Sequence, residues 1–77
     1  MPEQLKRSSE LIAAEIRAEL AKQEKTIPDL SEAIGIPVTT ARRSVKGQRA
    51  MTIDEIADTA SYLGIPVTEL LRRAVAA

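Results

Sequence analysis

Apolar residues recur along this chain at helical spacing, and no segment alternates apolar and polar positions with the period of two that a strand requires. Ile12, Ile16 and Leu20 stand four apart, with Ala13, Ala14, Ala18 and Ala21 among them, which predicts a first helix over residues 9–24 capped by Ser8 or Ser9. Thr26 stands where a second helix begins. Its hydroxyl can accept the Asp29 amide while the Asp29 carboxylate reaches back, and Pro28 suits the first turn. Ile27, Leu30 and Ile34 supply the buried stripe of this helix. Gly35 can take the left-handed conformation that ends it, and Ile36-Pro37 turns the chain, because a residue before proline avoids the helical region. A third helix is expected over 38–46, with Ala41 and Val45 inward and Gly47 as its stop. Thr52-Ile53-Asp54-Glu55 is a capping box opening a fourth, whose inward face is expected to hold Ile53, Ile56, Ala57, Ala60 and Leu63 before Gly64. Val67, Leu70, Leu71, Ala74 and Val75 mark a fifth amphipathic helix. The fold class is therefore all-α, a compact five-helix bundle with short turns, in which residues 1–9 form an N-terminal arm and 10–77 the folded domain.

Two corners share one sequence. Gly35-Ile-Pro-Val-Thr39 and Gly64-Ile-Pro-Val-Thr68 are identical, and each joins a helix stop to a helix start. Good corner chemistry accounts for the repeat without a duplicated function. The residues after the two corners differ: Thr40-Ala-Arg-Arg-Ser44 is polar and basic, whereas Glu69-Leu-Leu-Arg-Arg73 begins with an acid. A glutamate at a helix N-terminus repels phosphate, so the second corner reads as structural and the first as the candidate anion-facing one.

Composition narrows the chemistry. At 77 residues the chain makes one domain at most, and such a chain buries only about 60–65% of its unfolded surface. With no Cys and no His, disulfides, thiolate and imidazole metal sites, cysteine nucleophiles and the commonest general base are absent. No enzyme activity, cofactor, metal or small-molecule substrate is implied. No apolar run approaches the ~18 residues of a membrane span, and the first ten lack a signal-peptide core, so a cytoplasmic protein without a membrane partner is expected. The net charge of zero conceals a distribution: −2 over residues 1–32, +4 over 33–53 and −2 over 54–77. Arg42, Arg43, Lys46 and Arg49 make up the basic centre, which contains no acid. Such a surface could meet phosphates, although four bases in this span are also what a solvated face carries. Glu15 and Glu19, four apart on the first helix, are expected to be solvated rather than a functional carboxylate pair, and Tyr62 is expected at the edge of the core.

The segment Ile16-Arg-Ala-Glu-Leu-Ala21, then Thr26 to Leu30, Ala33-Ile-Gly-Ile36, Ala41-Arg-Arg-Ser-Val-Lys-Gly47, Thr52-Ile-Asp-Glu-Ile-Ala57 and Leu63-Gly-Ile-Pro-Val-Thr-Glu-Leu-Leu71 resembles the Cro/C1-type helix-turn-helix family, also called lambda-repressor-like. The resemblance covers about residues 12–71 and is nearest to variants of actinobacteria and their phages. Two positions depart from the family pattern. Ile27 replaces a glutamine that clamps a phosphate and braces the reading helix, and Pro37 replaces the Ser or Thr that caps it.

The resemblance implies that helices 2 and 3 form the helix-turn-helix and that helix 3 enters the major groove. Carried over by position, Pro37, Val38, Thr39, Arg42 and Arg43 face outward, with Val38, Thr39, Arg42 and Arg43 as base-reading candidates. Arginine can bond guanine O6 and N7 in parallel, valine can lie on a thymine methyl, and threonine can donate or accept. Solvated or phosphate-holding arginines and a Val38 partly buried in the turn stay open as alternatives. Thr40, Lys46 and Arg49 are the implied sugar-phosphate contacts. Lys6-Arg7 could reach DNA from an N-terminal arm, or the terminus could be unstructured.

The implied function is sequence-specific binding of a double-stranded DNA operator by a small transcriptional regulator, a Cro-like repressor of phage or prophage type. An isolated DNA-binding domain of a longer immunity repressor, or a protein-interaction module such as an antitoxin or adaptor that keeps the fold, are the alternatives. One reading helix sees too few base pairs for a genomic address, so pairing on a palindrome is expected. Leu71, Ala74 and Val75 are the candidate interface of a weak homodimer that DNA completes.

Overall fold

Five helices account for the chain in the computed structural model, which describes residues 3–76, with side chains from residue 7 onward. They are α1 (Glu3–Lys22), α2 (Ile27–Ile34), α3 (Val38–Val45), α4 (Ile53–Leu63) and α5 (Val67–Ala76). No strand occurs among the described residues.

Helix α1 is longer at its start than its apolar spacing predicts. It begins at Glu3, so Ser8 and Ser9 lie inside the helix instead of capping it, and residues 3–9 are helical where an arm was expected. The reason is propensity: Glu3, Gln4, Leu5, Lys6 and Arg7 are all good helix formers, and two serines in a helix interior cost only tenths of a kcal/mol each. Of the Lys6-Arg7 pair, the Lys6 side chain lies outside those described, and Arg7 is exposed. At the other end α1 stops at Lys22. Lys25 N–H bonds the Leu20 carbonyl at 2.9 Å across Glu24, which takes a left-handed φ of 56°. A non-glycine residue closes this helix, which is why the sequence places the end two residues late.

The two capping boxes form as the sequence predicts. Thr26 and Asp29 exchange bonds of 3.2 Å at the start of α2. Thr52 and Glu55 exchange bonds of 2.9 and 3.1 Å at the start of α4. Gly35 and Gly64 end α2 and α4 in the left-handed conformation, at φ 71° and 72°. The repeated corner sequence is thus a repeated corner structure.

Packing places α1 against α5 and α3, α2 against α3 and α4, and α4 against α5. Ile16, Leu20, Leu30, Val45, Ala60, Leu63 and Leu70 make the shared core. On α4 two expected core residues lie outside it: Ile53 projects from the helix's first position and is 84% exposed, and Ala57 is exposed as well. Ile56 is half-buried and Thr59, Ala60 and Leu63 are buried, so the inner stripe includes a threonine that the expected inward face leaves out.

Glu19 also departs from expectation. It is buried between α1 and α5, accepting from Gln23 Nε2 at 2.8 Å and Arg73 Nη1 at 3.2 Å. The Gln23 amide chiefly, with the Lys22 and Arg73 charges, outweighs burial and holds its carboxyl below the ordinary value. Gln23 also donates to the Leu63 carbonyl at 2.8 Å, tying the end of α1 to the end of α4. Glu69 continues the network, bonded to Arg72 and to Arg73, and its carboxyl is lowered to about 2 by these two guanidiniums. The acid that sets the second corner apart therefore holds α5 together and helps dock it on α1. Tyr62 sits at the core edge as expected, with the Lys25 ammonium 4.3 Å above its ring.

Candidate nucleic-acid interface

Between α2 and α3 the chain turns within three residues, and Ser31 closes the turn. Its carbonyl accepts from Gly35 N–H at 3.0 Å and Ile36 N–H at 3.2 Å, and its hydroxyl donates to the Ile36 carbonyl at 2.5 Å. Leu30 on α2 is fully buried in the shared core, and Ala41 on α3 is fully buried too. The angle between the two helices is therefore fixed by packing and by local bonds. Pro37 takes the N-cap position with no side-chain bond, as its chemistry requires.

Helix α3 divides into two faces. Ala41, Ser44 and Val45 are buried, while Val38, Thr39, Arg42 and Arg43 are exposed. At about 100° per residue, Val38, Arg42, Lys46, Thr39 and Arg43 fall in that order across an arc of roughly 140°. Val38 lies at the edge of this arc and is 36% exposed, so its side chain is shared between the turn and the surface. Thr40 is half-buried on the flank, and Lys46 is an exposed C-cap. Among the described residues, none partners the side chains of Arg42, Arg43 or Lys46. Three cations, a hydroxyl and a methyl-bearing edge thus share one open surface about 12 Å long. An exposed arginine with free donors can make paired bonds to a planar acceptor, and this face is narrow enough to enter a groove.

Arg49 is placed differently from the other three bases. Its guanidinium forms a two-bond pair with Glu55 at 3.0 and 3.1 Å and donates to Ser44 Oγ at 2.9 Å. The sequence places it on the sugar-phosphate backbone, and in the fold its side chain, 28% exposed, is paired within the chain. The Arg49 bonds, ahead of those from Thr52, hold the Glu55 carboxyl below its ordinary value despite partial burial. Arg17, on α1, donates to the Val45 carbonyl at 2.6 Å, capping the last turn of α3. Gly47 follows with φ 76°, and a Cβ there would stand 3.5 Å from Glu10 Cγ, so α1 also backs the turn after α3. Sequence reading missed Arg17, Ser31, Ser44 and Glu55 as parts of this site. Only the inward register of Ser44, three residues after Ala41, signalled one of them.

On α5, Leu71 and Val75 are exposed at 38% and 83%. They border a groove between α1 and α5 that Leu11 and Ile12 also line. Ala74, expected on the outer strip with them, is buried at 3% and belongs to the chain's own core, because its methyl packs in the α1–α5 seam. Among the described residues no helix is long and apolar enough to cross a membrane.

A family model for the Cro/C1-type HTH DNA-binding domain matches residues 15–74. Among solved structures, the crystal structure of the clp gene regulator ClgR from Corynebacterium glutamicum is similar, with a TM-score of 0.85 and 22% identity, covering 90% of this chain and 73% of that one. That likeness is one of fold. No curated sequence matches the chain significantly.

Proposed function

The chain belongs to the Cro/C1-type helix-turn-helix DNA-binding family, and from that premise we propose that it is a sequence-specific transcriptional regulator that reads a double-stranded operator with α3. The observation that carries the reading is the exposed arc of Val38, Thr39, Arg42 and Arg43, whose cations have no partner among the described residues. Arg42 and Arg43 donate to base edges, Val38 packs on a thymine methyl, and Thr39 bonds a neighbouring edge. Thr40 and Lys46 hold phosphates on either flank, which sets register without reading sequence. Arg49 leaves the phosphate role to Lys46, since its own charge is matched by Glu55.

Its action is repression of the Cro-like kind expected of a small phage or prophage regulator: a protein seated on an operator that overlaps a promoter excludes polymerase from it. Two copies bind a two-fold operator with half-sites about 34 Å apart per helical turn. Leu71 and Val75 from each copy meet there over the α1–α5 groove. The contact is small and lacks an aromatic anchor, so free protein pairs weakly and DNA completes the dimer.

Selection of duplexes from a random pool, followed by binding across a salt series, tests this reading. A recovered two-fold motif, bound with an affinity that falls steeply as salt rises, is expected. Absence of binding even at low salt would overturn it and mark the chain as a protein-interaction module of the same fold.

A further inference from the structure

We propose that Arg49 and Glu55 are positioning residues for operator recognition, forming a latch that fixes the C-terminal end of α3 without touching DNA. The inference rests on the reading that α3 enters the groove. Glu55 makes two kinds of bond at once. One oxygen caps α4 by accepting Thr52 N–H at 2.9 Å, and both oxygens hold the Arg49 guanidinium. Arg49 in turn donates at 2.9 Å to the hydroxyl of Ser44, a residue 1% exposed on the inner face of α3. The start of α4 is thereby tied to the last turn of α3 across the intervening loop.

At this end of α3, side chains from other parts of the chain bond the helix itself. Its N-cap, Pro37, makes no side-chain bond, whereas Arg17 bonds the Val45 carbonyl and Arg49 bonds Ser44. An eight-residue helix is only about 12 Å long. Loosening its last turn therefore tilts the short helix that carries Val38, Thr39, Arg42 and Arg43. Two-point bonding matters here, since a planar guanidinium fork fixes an angle and a lysine ammonium does not.

The charge arithmetic separates the latch from a phosphate contact. Arg49 used on DNA adds about 0.9 to the salt slope, whereas Arg49 used on Glu55 adds nothing. Removing the Glu55 charge should strengthen binding to every duplex if only the field matters. The latch requires the opposite for the cognate site.

The experiment uses the full chain, the duplex selected from a random pool, and a scrambled duplex of equal length. Wild type, Arg49→Lys, Arg49→Ala, Glu55→Gln and the Arg49→Ala/Glu55→Gln double variant are compared, each checked for helical content at the assay temperature. Glutamine at 55 still caps α4, so that variant isolates the ion pair. Each single variant is expected to bind the selected duplex roughly tenfold more weakly, about the loss of one bidentate base contact. In Arg49→Lys and in the double variant, whose net charge equals that of wild type, affinity for the scrambled duplex and the salt slope should stay unchanged, and the double variant should lose no more than the singles. A salt slope lowered by about one in Arg49→Ala makes Arg49 a phosphate contact and overturns the latch. So does full affinity for the selected duplex in any folded variant, with Arg49→Lys deciding if Arg49→Ala does not fold. A wild type that does not distinguish the two duplexes fails before any variant is read, and it removes the proposed function together with the latch.

Discussion

Thr59 is fully buried on α4, and its Oγ1 has no hydrogen-bond partner. A buried hydroxyl left unpaired costs about 1–3 kcal/mol of desolvation. Thr59→Val removes that hydroxyl and places a methyl in nearly the same volume. Threonine and valine have similar helix propensities, so the backbone contributes little to the difference. The substitution should stabilise the domain by about 1–2 kcal/mol, taking the lower part of the range because the surroundings relax around a methyl. For a domain of this size that raises Tm by roughly 4–16 °C. Thermal unfolding followed at 222 nm, with urea titration at a fixed temperature, measures the gain. Thr59→Ser serves as the control: it keeps the hydroxyl, loses a buried methyl and should lower stability by about 1 kcal/mol. DNA affinity should be unchanged, because Thr59 lies on α4, away from the exposed arc of α3. A valine variant less stable than wild type would refute the reasoning and show that the hydroxyl is bonded after all, to a carbonyl one turn back or to an internal water.

Acid should unfold the domain in a definite window: Glu19 and Glu55 have folded pKa values below the ordinary 4.5, so their contribution is complete above that pH and is lost as pH falls through the folded values. Glu19→Gln should flatten the dependence of stability on pH below about 4.5, and a curve parallel to that of wild type would remove Glu19 from the network that joins α1 to α5. Lys46→Ala should weaken binding to selected and scrambled duplexes alike and lower the salt slope by about 0.9, and an unchanged slope would show that Lys46 touches no phosphate. Val75→Asp should leave the free chain folded, because the residue is 83% exposed, while reducing occupancy of the second half-site in sedimentation of the complex. A complex holding one chain on a non-palindromic site at saturation would remove the dimer.

The sequence showed most clearly what is local. The Thr26–Asp29 and Thr52–Glu55 boxes and the stops at Gly35 and Gly64 depend on residues a few positions apart, and they form as read. The start of α1 was hidden because Ser8 and Ser9 carry cap chemistry while the helix formers before them carry no pattern. Its end was hidden because a glutamate, Glu24, takes the left-handed position usually filled by glycine. The exposed arc of α3 was legible from its three cations and the register of Ala41 and Val45. Arg49 was not, because its partner Glu55 reads as a cap and nothing local announces that a capping carboxylate also binds an arginine six residues before it. The burial of Glu19 is illegible for a different reason: Arg73 is 54 positions away, and only the docking of α5 on α1 brings the two together.

The central claim, that α3 reads base edges through its exposed arginines, is tested most directly by Arg43→Ala, measured on the selected duplex, on its single-base-pair variants and on a scrambled duplex. The account predicts a loss of about 1–3 kcal/mol on the selected duplex, preference relaxed at one base pair, and nearly unchanged affinity for the scrambled one. Equal weakening on all of these duplexes, with preference intact at every base pair, would contradict it and place Arg43 on the phosphate backbone.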